Sequence, residues 1–239
     1  LAPARPDANA RVRELIELSR PPSNPVEPSR AAPSAAANGA ASRGWARYEQ
    51  GDLEGAAREL AEATALPGAP VWAYYALGQA AFGLRRFGDA VARWEQVRAA
   101  VPEFQPVYFD LVDGYLQLDK AREAVAVLRS AERHWPKDAD VYNALGVVQV
   151  RRGSLDDAIE SFEKAVQAQP ESALGYFNLG RAHEMRYARS RRYVPTTGGW
   201  VGGADDRREA VNNYRKYLEL GGPFADSARE GLVRLDWAK

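Results

Sequence analysis

The chain has 239 residues, and its 32 Lys+Arg are balanced by 32 Asp+Glu. Zero net charge gives no electrostatic reason to expect nucleic acid or an anionic membrane as the main partner. The absence of cysteine excludes disulfides, thiolate metal sites and cysteine nucleophiles, and two histidines, His134 and His183, leave almost no material for a multi-histidine metal site.

Residues 1–36 read as a leader. Within it, 8–20 form a short amphipathic helix with Val12, Leu15 and Ile16 on one stripe. Residues 21–36, with five prolines among alanines and serines, read as an extended linker. On composition the leader reads either as disordered or as a docking arm. So short a helix is marginal alone in water, so if it forms its stripe has to bury on something, with a partner, the chain's own groove and a neighbouring copy as the candidates. The sequence starts at Leu1 rather than Met, and with the Pro/Ala-rich leader this points to an exported protein. No apolar run is long enough for a transmembrane helix.

Beyond the leader the chain repeats. Tyr74, Tyr108, Tyr142 and Tyr176 are 34 residues apart, and so are Leu77, Leu111, Leu145 and Leu179. Ala56, Ala90, Ala124 and Ala158 keep the interval, as do Leu60, Trp94, Leu128 and Phe162; Pro102, Pro136 and Pro170 close three of the units. The clearest unit, 139–172, reads Tyr142, Leu145, Gly146, Gly153, Ala158, Phe162, Ala165, Pro170. Period and residue types resemble the tetratricopeptide repeat (TPR) family. The resemblance implies an all-α fold, a right-handed TPR superhelix (α-solenoid) of about five helix pairs plus a C-terminal capping helix.

The units fall at 37–70, 71–104, 105–138, 139–172 and 173–222, with the cap at 223–239. The first is degenerate, with Arg43 and Gly68 at family positions for Leu and Pro. The third carries Val112 for the small residue and Asp119 for the turn glycine. In the fifth, Arg192 stands where the small alanine belongs and Ala210 fits instead, which marks an 18-residue insertion near 189–206. The insertion reads as a loop carrying Arg192, Tyr193 and Trp200. Two readings stand for it: Trp200 tucked against neighbouring helices, or an outward loop that contacts a protein. Asp205 and Asp206 follow the arginines, which argues against nucleic acid.

The resemblance also places the first helix of each unit on a concave face. Carried over unit by unit, its groove positions are Trp45 and Tyr48, then Trp72, Tyr75, Gln79 and Phe82. Phe109 and Asp113 follow in the third unit, Asn143 and Arg151 in the fourth, and Arg181 and Glu184 in the fifth. The N-terminal half of this set is aromatic. Tyr75, Phe109 and Phe177 occupy columns where carboxylate-clamping members of the family carry polar or basic residues, so a chaperone-tail receptor is not expected. An apolar peptide would suit such a groove; the competing reading packs these rings between units.

No nucleophile–base pattern, phosphate loop or metal motif is present, so no catalytic residue, metal or cofactor is expected and the chain does not read as an enzyme. His134 and His183 read as structural, and Asp156–Asp157 and Asp205–Asp206 as helix-start carboxylates. The expected function is a non-catalytic protein–protein interaction module that binds a protein or peptide segment in its aromatic-rich groove. The alternative is an accessory subunit of a larger, extracytoplasmic assembly held by its N-terminal arm and the 189–206 loop. Self-binding of the arm, in cis or in a homo-oligomer, fits either. Fold does not fix the process served.

Overall fold

Helix boundaries follow local chemistry. In the computed structural model, which describes residues 7–19, 34–196 and 198–237, the secondary structure is twelve helices and one β-hairpin. The chain divides between Val127 and Leu128 into two compact units.

The N-terminal unit holds α1 (Ala8–Leu18), α2 (Ala35–Glu49), α3 (Leu53–Ala65), α4 (Val71–Gly83), α5 (Phe87–Ala100), α6 (Pro106–Gln117) and the start of α7 (Ala121–His134). Short polar side chains cap the starts: Asp7 accepts from the Ala10 amide, Ser34 from Ala37 and Asp52 from Gly55. Pro106 occupies the first turn of α6, where a missing N–H costs nothing. The expected linker to residue 36 is shortened, because Ser34 already caps α2; its stretch 21–33 lies outside the described residues, as does residue 20 of the expected leader helix.

Small residues set the packing. α2 lies on α3, α3 on α4, α4 on α5 and α5 on α6. Where α2, α3 and α4 meet, the core is mostly alanine, with Leu60 and Leu77 filling the gaps. α4 is apolar on nearly every face, since α1, α3 and α5 all pack on it. The turn inside each helix pair needs one left-handed residue: Gly51 (φ 81°), Arg85 (φ 61°) and Asp119 (φ 58°) supply it at 34-residue spacing.

The C-terminal unit contains the rest of α7, then α8 (Ala139–Arg152), α9 (Leu155–Ala168), α10 (Ala173–Ser190), β1 (Arg192–Val194), β2 (Gly199–Val201), α11 (Ala204–Leu220) and α12 (Ala225–Trp237). Close approach explains two glycines. A Cβ on Gly146 would lie 2.4 Å from the Phe162 ring, and one on Gly180 would lie 2.7 Å from Tyr214. Phe162 follows Gly146 by 16 residues and Tyr214 follows Gly180 by 34; the difference is the insertion.

The insertion is not the plain loop expected. α10 runs on to Ser190 and α11 starts at Ala204, so part of it lengthens the two helices. The rest is an antiparallel hairpin pairing Arg192 with Val201, Tyr193 with Trp200 and Val194 with Gly199. Gly202 and Gly203, both at positive φ, turn the chain back into α11. No helix among the described residues is long and apolar enough to cross a membrane.

Candidate functional site

The leader helix is seated in the groove of its own unit. α1 lays its stripe on α4, with Leu15 wholly buried, Val12 buried and Ile16 half-buried. Trp45 of α2 stacks on Tyr48, centroids 4.9 Å apart and planes 14° apart, and its Nε1–H donates to the Asn9 side chain at 2.8 Å. The stripe thus meets α2 and α4, the first helices of two repeats.

At its centre is a buried charge. Arg11 is only 7% exposed, and its Nη1 donates to Asp110 of α6 at 2.9 Å (Oδ1) and 3.2 Å (Oδ2), and to the Tyr75 hydroxyl at 3.3 Å. Asp110 is held independently by α4: Tyr75 OH donates to Oδ2 at 2.6 Å and Gln79 Nε2 at 2.9 Å. Phe104 packs edge-on against Tyr75, centroids 5.1 Å apart.

Electrostatics follow from burial. Burial disfavours the charged guanidinium, but Asp110 and Tyr75 together outweigh it and Arg11 stays above its ordinary pKa. Burial, then Asp110, pushes the Tyr75 hydroxyl far above the phenol range, so it remains a donor. Tyr48 is raised for the same two reasons, in the same order. A buried pair of this kind adds little net stability, but breaking it strands a charge, so it fixes register more than it glues.

α1 does not fill the groove. A cleft of roughly 490 Å³ remains beside it, lined by Asn9, Val12, Ile16, Trp45, Glu49 and Trp72 among others.

The structure therefore brings together Trp45, Tyr48, Trp72, Tyr75 and Gln79 around Val12, Leu15 and Ile16. Phe109 and Asp113 are half-buried on α6. Phe82 is half-buried and packs against the second helix of its own pair, 5.2 Å from Phe87 and 5.5 Å from Trp94.

Two corrections fall in the C-terminal unit. Asn143, 3% exposed, accepts from Asn178 Nδ2 at 3.2 Å; its side-chain oxygen is engaged in joining α8 to α10. Glu184 accepts Tyr214 OH at 2.5 Å and Arg234 Nε at 2.7 Å, tying α10 to α11 and α12. Arg151 and Arg181 are exposed. His183 is buried, with Nδ1 2.8 Å from Asp206, which also takes Arg186 Nε and Nη2. Burial works against the Asp206 carboxylate, but Arg186 and His183 hold its pKa below the ordinary value. Arg186 reaches Asp156 with Nη1, so one side chain bridges α9, α10 and α11.

The hairpin presents a second surface. Tyr193 and Trp200 pair across it, centroids 5.6 Å apart, and are 50% and 55% exposed; Arg192 is exposed beside them. The Arg191 guanidinium lies 4.2 Å over the Trp200 ring. Trp200 is thus presented on the hairpin rather than tucked into the helices.

Sequence reasoning misses Arg11 and Asp110. The available signal is Arg11 one turn before Leu15 on the leader's apolar face, and an acid set between Phe109 and Leu111. Among the described residues no group of three or more His, Asp or Glu side chains is placed to hold a metal ion. What the arrangement offers is ion pairing, ring stacking and apolar burial.

A family model, the tetratricopeptide repeat, matches residues 75–106, 109–173 and 150–186. The chain is 44% identical over 63 residues to the chloroplastic tetratricopeptide repeat domain-containing protein PYG7 of Arabidopsis thaliana, a match covering 25% of this chain and 21% of that protein. It is 34% identical over 71 residues to human Superkiller complex protein 3, covering 30% of this chain and 4% of that protein. The matches therefore span about a fifth or less of these relatives. Among solved structures, MamA from Desulfovibrio magneticus RS-1 superposes with a TM-score of 0.62 at 22% identity, over 79% of this chain and 97% of that one. YrrB, described as a TPR protein with an unusual peptide-binding site, gives 0.57 at 18% identity, over 76% and 84%. At these identities the likeness shows the fold alone. The period, the glycine-to-ring packing of the helix pairs and the family match agree: the chain is an all-α tetratricopeptide repeat protein of the α-solenoid class.

Proposed function

We propose that the chain is a non-catalytic interaction module whose N-terminal groove, formed by α2, α4 and α6, receives a helical segment of a protein partner. The tetratricopeptide fold is a protein–protein interaction scaffold, and the finer reading rests on one observation. The groove already holds a helix, α1, with Val12 and Leu15 buried and Arg11 paired to Asp110. The chain's own arm is a guide to the shape and chemistry the groove accepts. α1 must leave before a partner enters, so the free protein is self-covered.

The test is a binding titration on the full chain. A fluorescent peptide copying residues 7–19 is added to the wild type and to a Val12→Asp/Leu15→Asp variant whose arm cannot bury. The variant should take up the peptide, and the wild type should do so at least about tenfold more weakly, because a tethered arm competes at high effective concentration. A folded variant that ignores the peptide at every concentration would sink the receptor reading.

The hairpin favours a second contact. Tyr193 and Trp200 are large rings held exposed, the kind of side chain that anchors interfaces. As an accessory subunit the chain would use this surface, since the arm is engaged in its own groove. Tyr193→Ser/Trp200→Ser should leave the thermal midpoint unchanged and remove cross-links between the hairpin and any native neighbour. Unchanged cross-links would rule that role out.

A further inference from the structure

We infer that the groove selects its partner by an arginine, and that the partner is an amphipathic helix of another protein with Arg at one position, apolar residues at the next and fourth-next, and a large apolar or aromatic residue at the fifth-next. This rests on the reading of the groove as a helix receptor.

The arginine pocket belongs to the groove wall and not to the arm. Asp110 comes from α6, and Tyr75 and Gln79 come from α4. Both α4 donors fix the same carboxylate oxygen, Oδ2, at 2.6 and 2.9 Å, while Oδ1 faces the arm and takes Arg11 at 2.9 Å. A carboxylate only 4% exposed, with one oxygen fixed by two neutral donors, is stabilised by a cation. The planar fork of arginine suits it better than the point charge of lysine.

Two observations show that α1 is an imperfect tenant. Its guanidinium bonds through Nη1 alone, and the buried Nε–H has no hydrogen-bond partner. A bidentate arginine would put Nε to use. The roughly 490 Å³ cleft beside Ile16, walled by Trp45 and Trp72, is space that a larger side chain at that position would occupy. A second copy's α1 carries the same two defects and gains nothing over the tethered arm. A different sequence that repairs them would displace it. The arm therefore keeps the charge of Asp110 covered until a better-fitting helix arrives.

The experiment uses the full-length Val12→Asp/Leu15→Asp chain and four synthetic probes: the 7–19 peptide and its Arg11→Met, Arg11→Lys and Ile16→Phe forms, read by fluorescence anisotropy. The Met form should bind about tenfold or more weakly, the size of a lost charge-assisted bond. The Lys form should fall between Met and the parent, and the Phe form should bind several-fold tighter. Introducing Asp110→Asn into the chain should erase most of the difference between Arg and Met peptides. Tyr75→Phe, a milder change, should narrow it, and it serves if Asp110→Asn fails to fold. Equal binding of the Arg and Met peptides overturns arginine selection and leaves the receptor reading standing. If the parent binds tighter than the Phe form, the arm is itself the preferred ligand, a second copy becomes the trans partner, and the heterologous assignment is overturned. No binding by any probe overturns this inference and the receptor reading together.

Discussion

The two helices added outside the repeated pairs, α1 and α12, cover apolar faces in opposite ways. α12 follows α11 after only Gly221–Phe224 and is sealed by apolar burial, with Ala228 and Leu235 packed among Phe177, Tyr214 and Tyr217. Its polar ties, Arg234 to Glu184 and Arg207 to the Leu235 carbonyl, are only partly buried. α1 is separated from α2 by residues 19–34 and centres on one buried ion pair. Burial, then, does not measure permanence. A helix close in sequence and apolar at its seam joins the cooperative fold of its unit. A remote helix docked through a charge has an exit, because released Arg11 returns to water and recovers its hydration.

The largest effect should come from breaking the α12 side. Tyr214 is fully buried against Gly180 and Phe177, and its hydroxyl ties Glu184. Tyr214→Ala should cost about 3–5 kcal/mol of unfolding free energy, the usual range for emptying an aromatic site in a core. Chemical denaturation of the full chain measures it. A loss under about 1 kcal/mol would mean that α10, α11 and α12 are not one packed body.

On the α1 side the same logic gives a smaller and more local loss. Asp110→Ala strands Arg11, and a trapped unpaired charge would cost about 3–5 kcal/mol. The arm can undock instead, so the global loss is capped by the docking free energy. Amide exchange across residues 8–18 should accelerate at least about tenfold, while the unfolding midpoint moves less than for Tyr214→Ala. An unchanged exchange pattern would show that the ion pair does not hold α1.

Acid should discriminate next. The folded pKa of Asp206 is depressed, so its contribution is present above the unfolded carboxylate range and is lost as pH falls through the folded value. Thermal midpoints of wild type and Asp206→Asn should differ most near neutral pH and converge as pH falls below the ordinary carboxylate range. A gap that stays constant with pH would assign the effect to packing around His183 and Arg186 rather than to charge.

The two regions are unequally legible in the sequence. The helix pairs are written in a 34-residue period because each pair meets its neighbour through the same positions, so Gly146 and Phe162 stand out in the amino-acid pattern alone. Val12, Leu15 and Ile16 display a stripe but not its destination. The destination depends on Asp110, 99 residues away from Arg11, and no local pattern encodes such a pairing. Asn143 and Glu184 read as groove residues because family columns specify a helix face and not what packs on it. The hairpin is hidden because a three-residue strand is too short for alternation to register.

The smallest effect tests the turns, and its sign is informative. Four turns 34 residues apart use a left-handed residue, glycine at 51 and 153 but Arg85 and Asp119 between them. For an L residue with a long side chain this conformation costs about 1–2 kcal/mol, and aspartate tolerates it better. Glycine removes that strain but loses more backbone entropy on folding, by about 0.5–1 kcal/mol. Arg85 is exposed, and its one ring contact, 5.8 Å over Phe87, is weak. Arg85→Gly should therefore stabilise the chain by about 0.5 kcal/mol, and Asp119→Gly by less, in the same denaturation experiment. If Arg85→Gly destabilises, the arginine is held by more than its backbone, and the turn has a role that the repeat alone does not supply.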